Sequence, residues 1–372
     1  MKIHVRLLTV LAMLGLVAVP LLNPATSAAA PATAQSESAA AASSWLADQF
    51  VDGQYMLGFD GTTPDPTSTI DAAVGVYAGG ADAETASTVT NWVAGQAGEY
   101  VTDPATAART AILADLAGED PADFGGVDLV EALNSELGDI ATNPYGLALV
   151  IIAMSRLDID VPQDTVTALL ATQEDEGAFG FPDYGIDMDA TAIAAQALLT
   201  REGDQAASDA ADKAVEWLLA NQCTETSDLC PTTGAYWGSF SPANTAGLAI
   251  GALSAAGEDT TAHVQWLQEF QNDDGGFPAS FDAPDSDTYA TSQAILGLRA
   301  GSLADLTPGT ATPADPGQEA TTDPTEPAEG DTEDDPDSDD DGGIGLPVII
   351  GVAVAAGVIG GLFAFFNRRR QG

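Results

Sequence analysis

Between about residues 38 and 302 the chain repeats one pattern six times, and each unit is too small to bury an apolar face by itself. Its first half is an amphipathic helix, visible as Trp45-Leu46 to Gln49, Trp92-Val93 to Gln96, Leu169-Leu170 to Gln173, Trp217-Leu218 to Gln222 and Trp266-Leu267 to Gln271. In each, the Gln follows the bulky residue within helical reach of the same face. A glycine- and aromatic-rich connection comes next: Gly53-Gln54-Tyr55, Gly98-Glu99-Tyr100, Gly177 to Phe181, Gly234 to Trp237, and Gly275-Gly276-Phe277. The second half is a helix of small and aliphatic residues opened by a capping type. Its starts read as Thr69 to Asp71, Asp103-Pro104, Asn143-Pro144, Asp187 to Asp189, Asn244-Thr245 and Asp287-Thr288. Bodies such as Ala190 to Leu199 are apolar nearly all round and demand burial. The third unit is the weakest, because its first helix, roughly Val127 to Leu137, lacks both Trp and Gln.

Six hairpins, each with one amphipathic and one apolar helix, predict an all-α fold: an α6/α6 toroid with the apolar helices as the inner ring. A linear solenoid is the alternative, but its last repeat would need a polar capping face, and Thr288 to Leu298 is as apolar as the rest. In a toroid all inner helices start at one end. That end is expected to form a concave mouth of helix N-termini and aromatics, with Asp71, Phe181, Tyr184, Asp187, Asp189, Trp237, Asn244, Phe277, Asp287 and Tyr289 as candidate ligand-binding residues. Trp45, Trp92, Trp217 and Trp266 are expected to wedge neighbouring units together.

The ends of the chain have their own signatures. Residues 1–34 read as a secretory signal: basic Lys2 and Arg6, the apolar stretch Leu7 to Leu22, and a small-x-small site at Ala32-Thr33-Ala34, with an earlier cut near Ala28 as the alternative. The toroid is then expected over 35–302. Residues 303–343 carry fourteen Asp or Glu without a Lys or Arg and read as a disordered acidic stalk. Ile344 to Phe366 is long enough to span a bilayer, and Arg368 to Arg370 mark its cytoplasmic side. The expectation is a single-pass protein of a bacterial cell membrane, with the toroid extracellular and residues 367–372 a cytoplasmic tail. Cys223 and Cys230, the only cysteines, are expected to form a disulfide in that compartment.

Charge and histidine content narrow the chemistry. A formal net charge of −46 speaks against nucleic acid, which needs clustered Lys and Arg. Beyond the leader His263 is the one histidine, so His-rich metal sites and Ser-His-Asp systems are excluded, and no metal or cofactor is expected. Carboxylate chemistry remains, with Asp187 and Asp189 as the catalytic candidates.

Gln271-Asn272-Asp273-Asp274-Gly275-Gly276-Phe277, preceded by Trp266-Leu267 and followed by a capped small-residue helix, resembles the Gln-Trp type repeat of the squalene-hopene cyclase and protein prenyltransferase superfamily. Gln222 to Trp237 and Gln173 to Phe179 are similar, and Trp45 to Tyr55 is a diluted copy. The resemblance implies the toroid, which also serves vitamin B12 carriers of the transcobalamin and intrinsic-factor kind. A prenyltransferase would imply a zinc held by Asp, Cys and His, which this chain does not supply. Class II terpene cyclases carry Asp-x-Asp-Asp-Thr-Ala. Asp187-Met188-Asp189-Ala190-Thr191-Ala192 matches it except at Ala190, so Asp189 stands where the proton donor belongs but lacks a neighbouring carboxyl.

The expected function is therefore a surface-displayed binding module for an apolar, planar or sugar-like ligand, a small molecule or a glycan. The alternative is a carboxylate-based enzyme, either cyclase-like or a glycosidase or polysaccharide lyase with two carboxylates across the mouth.

Overall fold

The computed structural model describes residues 29–58, 60–238 and 240–309. Most of the leader, the stalk beyond residue 309, the apolar segment 344–366 and the tail lie outside the described residues. Among those described, no helix is long and apolar enough to cross a membrane.

The described chain is mostly helical, with twelve α-helices and two short β-hairpins. The even-numbered helices are the small-residue ones: α2 (Pro66–Gly79), α4 (Pro104–Ala117), α6 (Pro144–Arg156), α8 (Met188–Leu199), α10 (Pro242–Ala255) and α12 (Thr288–Leu298). Each packs against the next, and α12 packs against α2, so they close into a ring. The odd-numbered helices surround it: α1 (Ala29–Ala47), α3 (Ala83–Tyr100), α5 (Leu129–Leu133), α7 (Gln163–Leu170), α9 (Gln205–Ala220) and α11 (Thr261–Phe270). Helix α1 lies against both α2 and α12 and covers the seam where the ring closes.

Three local devices make the hairpins alike. A buried Thr on the inner helix accepts from the backbone of the preceding connection: Met56 N to Thr69 Oγ1 at 2.9 Å, Phe179 N to Thr191 Oγ1 at 2.9 Å and Phe277 N to Thr291 Oγ1 at 2.8 Å. The repeat Gln ties its own turn to the next outer helix. Gln173 Nε2 donates to Gly177 O and to Ala210 O on α9, and Gln271 Nε2 donates to Gly275 O and to Ser38 O on α1. Gly177 and Gly275 sit at φ of 96° and 94°, and a Cβ on either would lie 2.8 Å from the carbonyl oxygen of Lys213 or Ala41 on that next helix. Left-handed backbone and close approach together require glycine at both places.

Two of the four Trp residues wedge neighbouring units in this way: Tyr55 packs on Trp92 at 5.3 Å and Tyr236 stacks on Trp266 at 4.6 Å, each joining one connection to the next outer helix. Cys223 and Cys230 are disulfide-bonded.

Five boundaries differ from the sequence reading. Helix α2 starts at Pro66 under the cap Asp65, because Asp-Pro is the better cap and first-turn pair, so Asp71 lies inside the helix. Helix α10 starts at Pro242, which buries Asn244 within its first turn. The first helix of the third unit shrinks to Leu129–Leu133, flanked by 3-10 turns at Pro121–Asp123 and Gly138–Thr142. Helix α1 begins at Ala29, inside the segment read as leader. Residues 303–309, read as the start of the stalk, pack on the ring instead, with Leu303 and Leu306 buried.

Candidate functional site

The inner helices start under Asp65, Asp103, Asn143, Asp187, Ser241 and Asp287. Neighbouring helices contact each other at matching heights: Asp71 meets Arg109 near one end, and Ser155 meets Thr200 at 2.9 Å near the other. They therefore run parallel, and their N-termini form a single rim. At that rim Asp187 and Asp287 spend their carboxylates on capping, each accepting from the backbone N–H of Ala190 or Ala290. Burial pushes both carboxyls up, and the backbone bonds partly offset this.

Within its first two turns every inner helix carries a polar residue: Asp71 on α2, Arg109 on α4, Tyr145 on α6, Asp189 on α8, Asn244 on α10 and Tyr289 on α12. Arg109 and Asp71 form a buried ion pair one turn below the rim. Burial opposes the Arg109 charge, but the Asp71 carboxylate together with Tyr100 and Tyr145 outweighs it and holds the guanidinium above its ordinary range. Burial also raises Asp71, against the pull of Arg109. Tyr145 and Tyr289 are both raised by burial, and Asp71 and Asp189 add to the rise.

Asp189 is set differently. Its Oδ2 accepts from Asn244 Nδ2 at 2.6 Å, while its Oδ1 is sealed from solvent and has no hydrogen-bond partner. Asn244 is fully buried, and its Oδ1 is likewise unpartnered. Burial, reinforced by the Asp187 charge and opposed by Thr245 and Asn244, pushes Asp189 up to about 7.

Below the rim lies a cavity of about 30 Å³, walled by Asp71, Arg109, Tyr145 and Gln293 above and by Val74, Ile112, Leu149, Leu296 and Leu303 below. That is room for about one water molecule.

The structure thus brings Asp187, Asp189, Asn244, Asp287 and Tyr289 to the rim and sets Asp71 one turn below it. Phe181 and Tyr184 belong to the hairpin formed by β1 (Gly180–Phe181) and β2 (Gly185–Ile186), which leads into α8, and Tyr184 is 49% exposed. Phe240, 55% exposed, precedes the cap of neighbouring α10. Trp237 and Phe277 are corrections, since both are fully buried and leave the mouth to others. Trp237 donates through Nε1 to Leu218 O on α9 and stacks on His263 of α11 at 5.1 Å, a joint between hairpins. His263 is a packing residue whose buried ring is pushed toward neutrality by desolvation. Among the described residues no group of three or more His, Cys, Asp or Glu converges as a metal site. Sequence reasoning missed Arg109 and Tyr145. Their signals were a lone basic residue in a mostly apolar helix, and a Tyr two residues past its cap, as in Tyr289.

No protein-family model and no curated protein sequence matches the chain. Solved structures do. The type II terpene cyclase MstE from Scytonema superposes at TM-score 0.53 and 14% identity, over 72% of this chain and 98% of that one. A substituted form of that cyclase bound to geranylgeranyl dihydroxybenzoate gives 0.52 at 14% identity, over 75% and 100%. Haptocorrin in complex with Cbi gives 0.49 at 12% identity, over 75% and 68%. The chain has the α/α-toroid fold of the terpene cyclases, as the repeats implied, and the likeness extends to fold alone.

Proposed function

We propose that the toroid is a binding module whose rim, centred on Asp189 and Asn244, takes the hydroxyl-bearing head of a sugar-like ligand. One observation carries this reading: on two side chains that are bonded to each other, Asp189 Oδ1 and Asn244 Oδ1 are buried without a hydrogen-bond partner. Buried acceptors of this kind call for a donor from outside the chain. Ligand hydroxyls supply donors, and they also accept from the Tyr145 and Tyr289 hydroxyls. Tyr184 and Phe240 beside the rim offer faces for a sugar ring. The acidic caps disfavour an anion. The sequence features of residues 1–34, 310–343 and 344–366 support display of this module outside a bacterial cell, on an acidic tether with a single membrane span.

The test is calorimetric titration of the full chain with a panel of methyl glycosides, alongside mass spectrometry of molecules retained on purification. Asp189→Asn and Asn244→Leu should each weaken the best binder at least about tenfold, the worth of one buried hydrogen bond to a charged group. Equal binding by both variants and the parent chain would overturn the reading.

A second reading rests on the Asp189 carboxyl, which is half-protonated near pH 7. It could pass its proton to a terminal alkene carbon, leaving a carboxylate and a carbocation, as an acid-initiated cyclase requires. The small cavity below the rim does not hold a polyene, so this reading also needs the ring to open there. Turnover of geranylgeranyl dihydroxybenzoate that is lost in Asp189→Asn would establish it.

A further inference from the structure

The chain does not leave the ring at the end of α12. From Ala300 onward it runs across the C-terminal ends of the inner helices, and α10, α8, α6 and α2 hold it in turn. Ser254 Oγ, on α10, donates to Ala300 O at 2.6 Å. Gln196, buried in the otherwise apolar body of α8, accepts through Oε1 from Leu303 N at 2.7 Å and Ser302 Oγ at 3.2 Å. Its Nε2 donates to Leu248 O on α10 at 2.9 Å. Arg156, at the end of α6, donates to Leu303 O at 2.7 Å and Ala304 O at 3.3 Å, and is braced by an ion pair with Asp115 on α4. Gly309 N donates to Tyr77 O on α2 at 2.8 Å.

This segment is neither helix nor strand, yet it is seated like a bound peptide. Burying a Gln and an Arg side chain is costly unless their hydrogen bonds are made, and here most of those bonds go to residues 302–304. The same segment places Leu303 in the wall of the axial cavity, below Arg109 and Tyr145. One small space is therefore bounded by rim residues at one end and by the strap at the other.

We propose that residues 302–309 are an autoinhibitory plug. Leu303 closes the axis from below, and the ring accepts a tail behind a rim-bound head only when the strap is displaced. The inference rests on the rim being a binding site. A tail entering past Tyr145 would run along Val74, Ile112, Leu149 and Leu296 and compete with Leu303 for the same volume. Binding and strap release are then reciprocally coupled.

The experiment uses the full chain with two probes, methyl β-glucoside (head alone) and octyl β-glucoside below its micelle concentration (head with tail). Both are titrated into the parent chain, Leu303→Ala and Gln196→Leu. In the parent the tail should add little. In either variant it should tighten binding about tenfold, the gain for two buried methylene groups. Octyl glucoside bound to the parent should also speed hydrogen exchange at the Leu303 and Gly309 amides, which report the strap alone. An equal tail effect in all three proteins, or strap amides indifferent to the bound tail, would overturn the plug. If neither glucoside binds any of them, the rim reading fails for this sugar, and benzene decides the plug separately. Leu303→Ala should bind benzene where the parent does not, and equal behaviour of the two would refute it.

Discussion

Asn244 and Asp189 meet across the joint between α10 and α8, the amide donating to one carboxylate oxygen at 2.6 Å while Asp189 Oδ1 and Asn244 Oδ1 are buried without a hydrogen-bond partner. The pair holds a carboxyl in a place that resists its ionisation. Its pKa near 7 lies above the unfolded value of 3.8, so the folded chain binds the extra proton between those limits. Native stability attributable to Asp189 is full below about pH 4 and is lost as pH rises through 7. Replacing Asp189 by Asn should flatten this loss by about 2 kcal/mol, a value discounted because part of the residue faces solvent. Thermal melts of both proteins at pH 4 and pH 8 check it. Parallel curves would refute it.

The Asp71–Arg109 pair predicts an asymmetry. Asp71 left alone can take up a proton and become neutral, and its pKa is already raised. Arg109 left alone cannot lose its charge. Asp71→Leu should therefore cost about 3–5 kcal/mol in urea unfolding, and Arg109→Met about 1–3. The double variant should recover most of the larger loss. Equal single costs would contradict the argument.

The Thr stitches predict equal costs in dissimilar surroundings. Thr69→Val, Thr191→Val and Thr291→Val each orphan a buried backbone N–H, of Met56, Phe179 and Phe277 respectively. Each should destabilise the toroid by about 1–3 kcal/mol, measured by denaturant midpoint at constant slope.

Gly275 and Gly53 separate two kinds of glycine. Both have positive φ, but a Cβ at Gly275 would meet Ala41 O at 2.8 Å, whereas one at Gly53 would meet nothing within 4 Å. Gly53→Ala should cost about 1 kcal/mol for backbone strain alone. Gly275→Ala should cost at least twice that and selectively speed hydrogen exchange in α1. Similar losses at both positions would show that the close approach is immaterial.

Much of this architecture was legible because it is periodic. Trp-to-Gln spacing, Gly-aromatic turns and capped small-residue helices recur often enough to count six hairpins, and Asp103, Asn143, Asp187 and Asp287 each cap the helix they were assigned to. Asp189 was legible by its offset from a cap. What escaped was tertiary. Nothing local to Asp71 announces a partner 38 residues away on α4, and a second capping signal at Asp65-Pro66 competed with it. Trp237 was placed in the mouth because composition does not encode which way a connection turns, and its indole turned inward to Leu218 and His263. Residues 303–309 carry the only two leucines of the stretch 303–343, but the acidic run that follows masked them, and the positions of Gln196 and Arg156, more than a hundred residues earlier, reveal that they are seated.

The seam under α1 has a consequence for how the protein is made. Gln35 donates to Leu298 O, joining positions 263 apart in the chain, so the earliest of the described helices to be synthesised waits for the last of them before its apolar flank is covered. Until then the nascent chain presents the naked sides of α2 and α1 to its surroundings. A circular permutant that cuts the chain elsewhere would move this vulnerable interval without changing the finished ring.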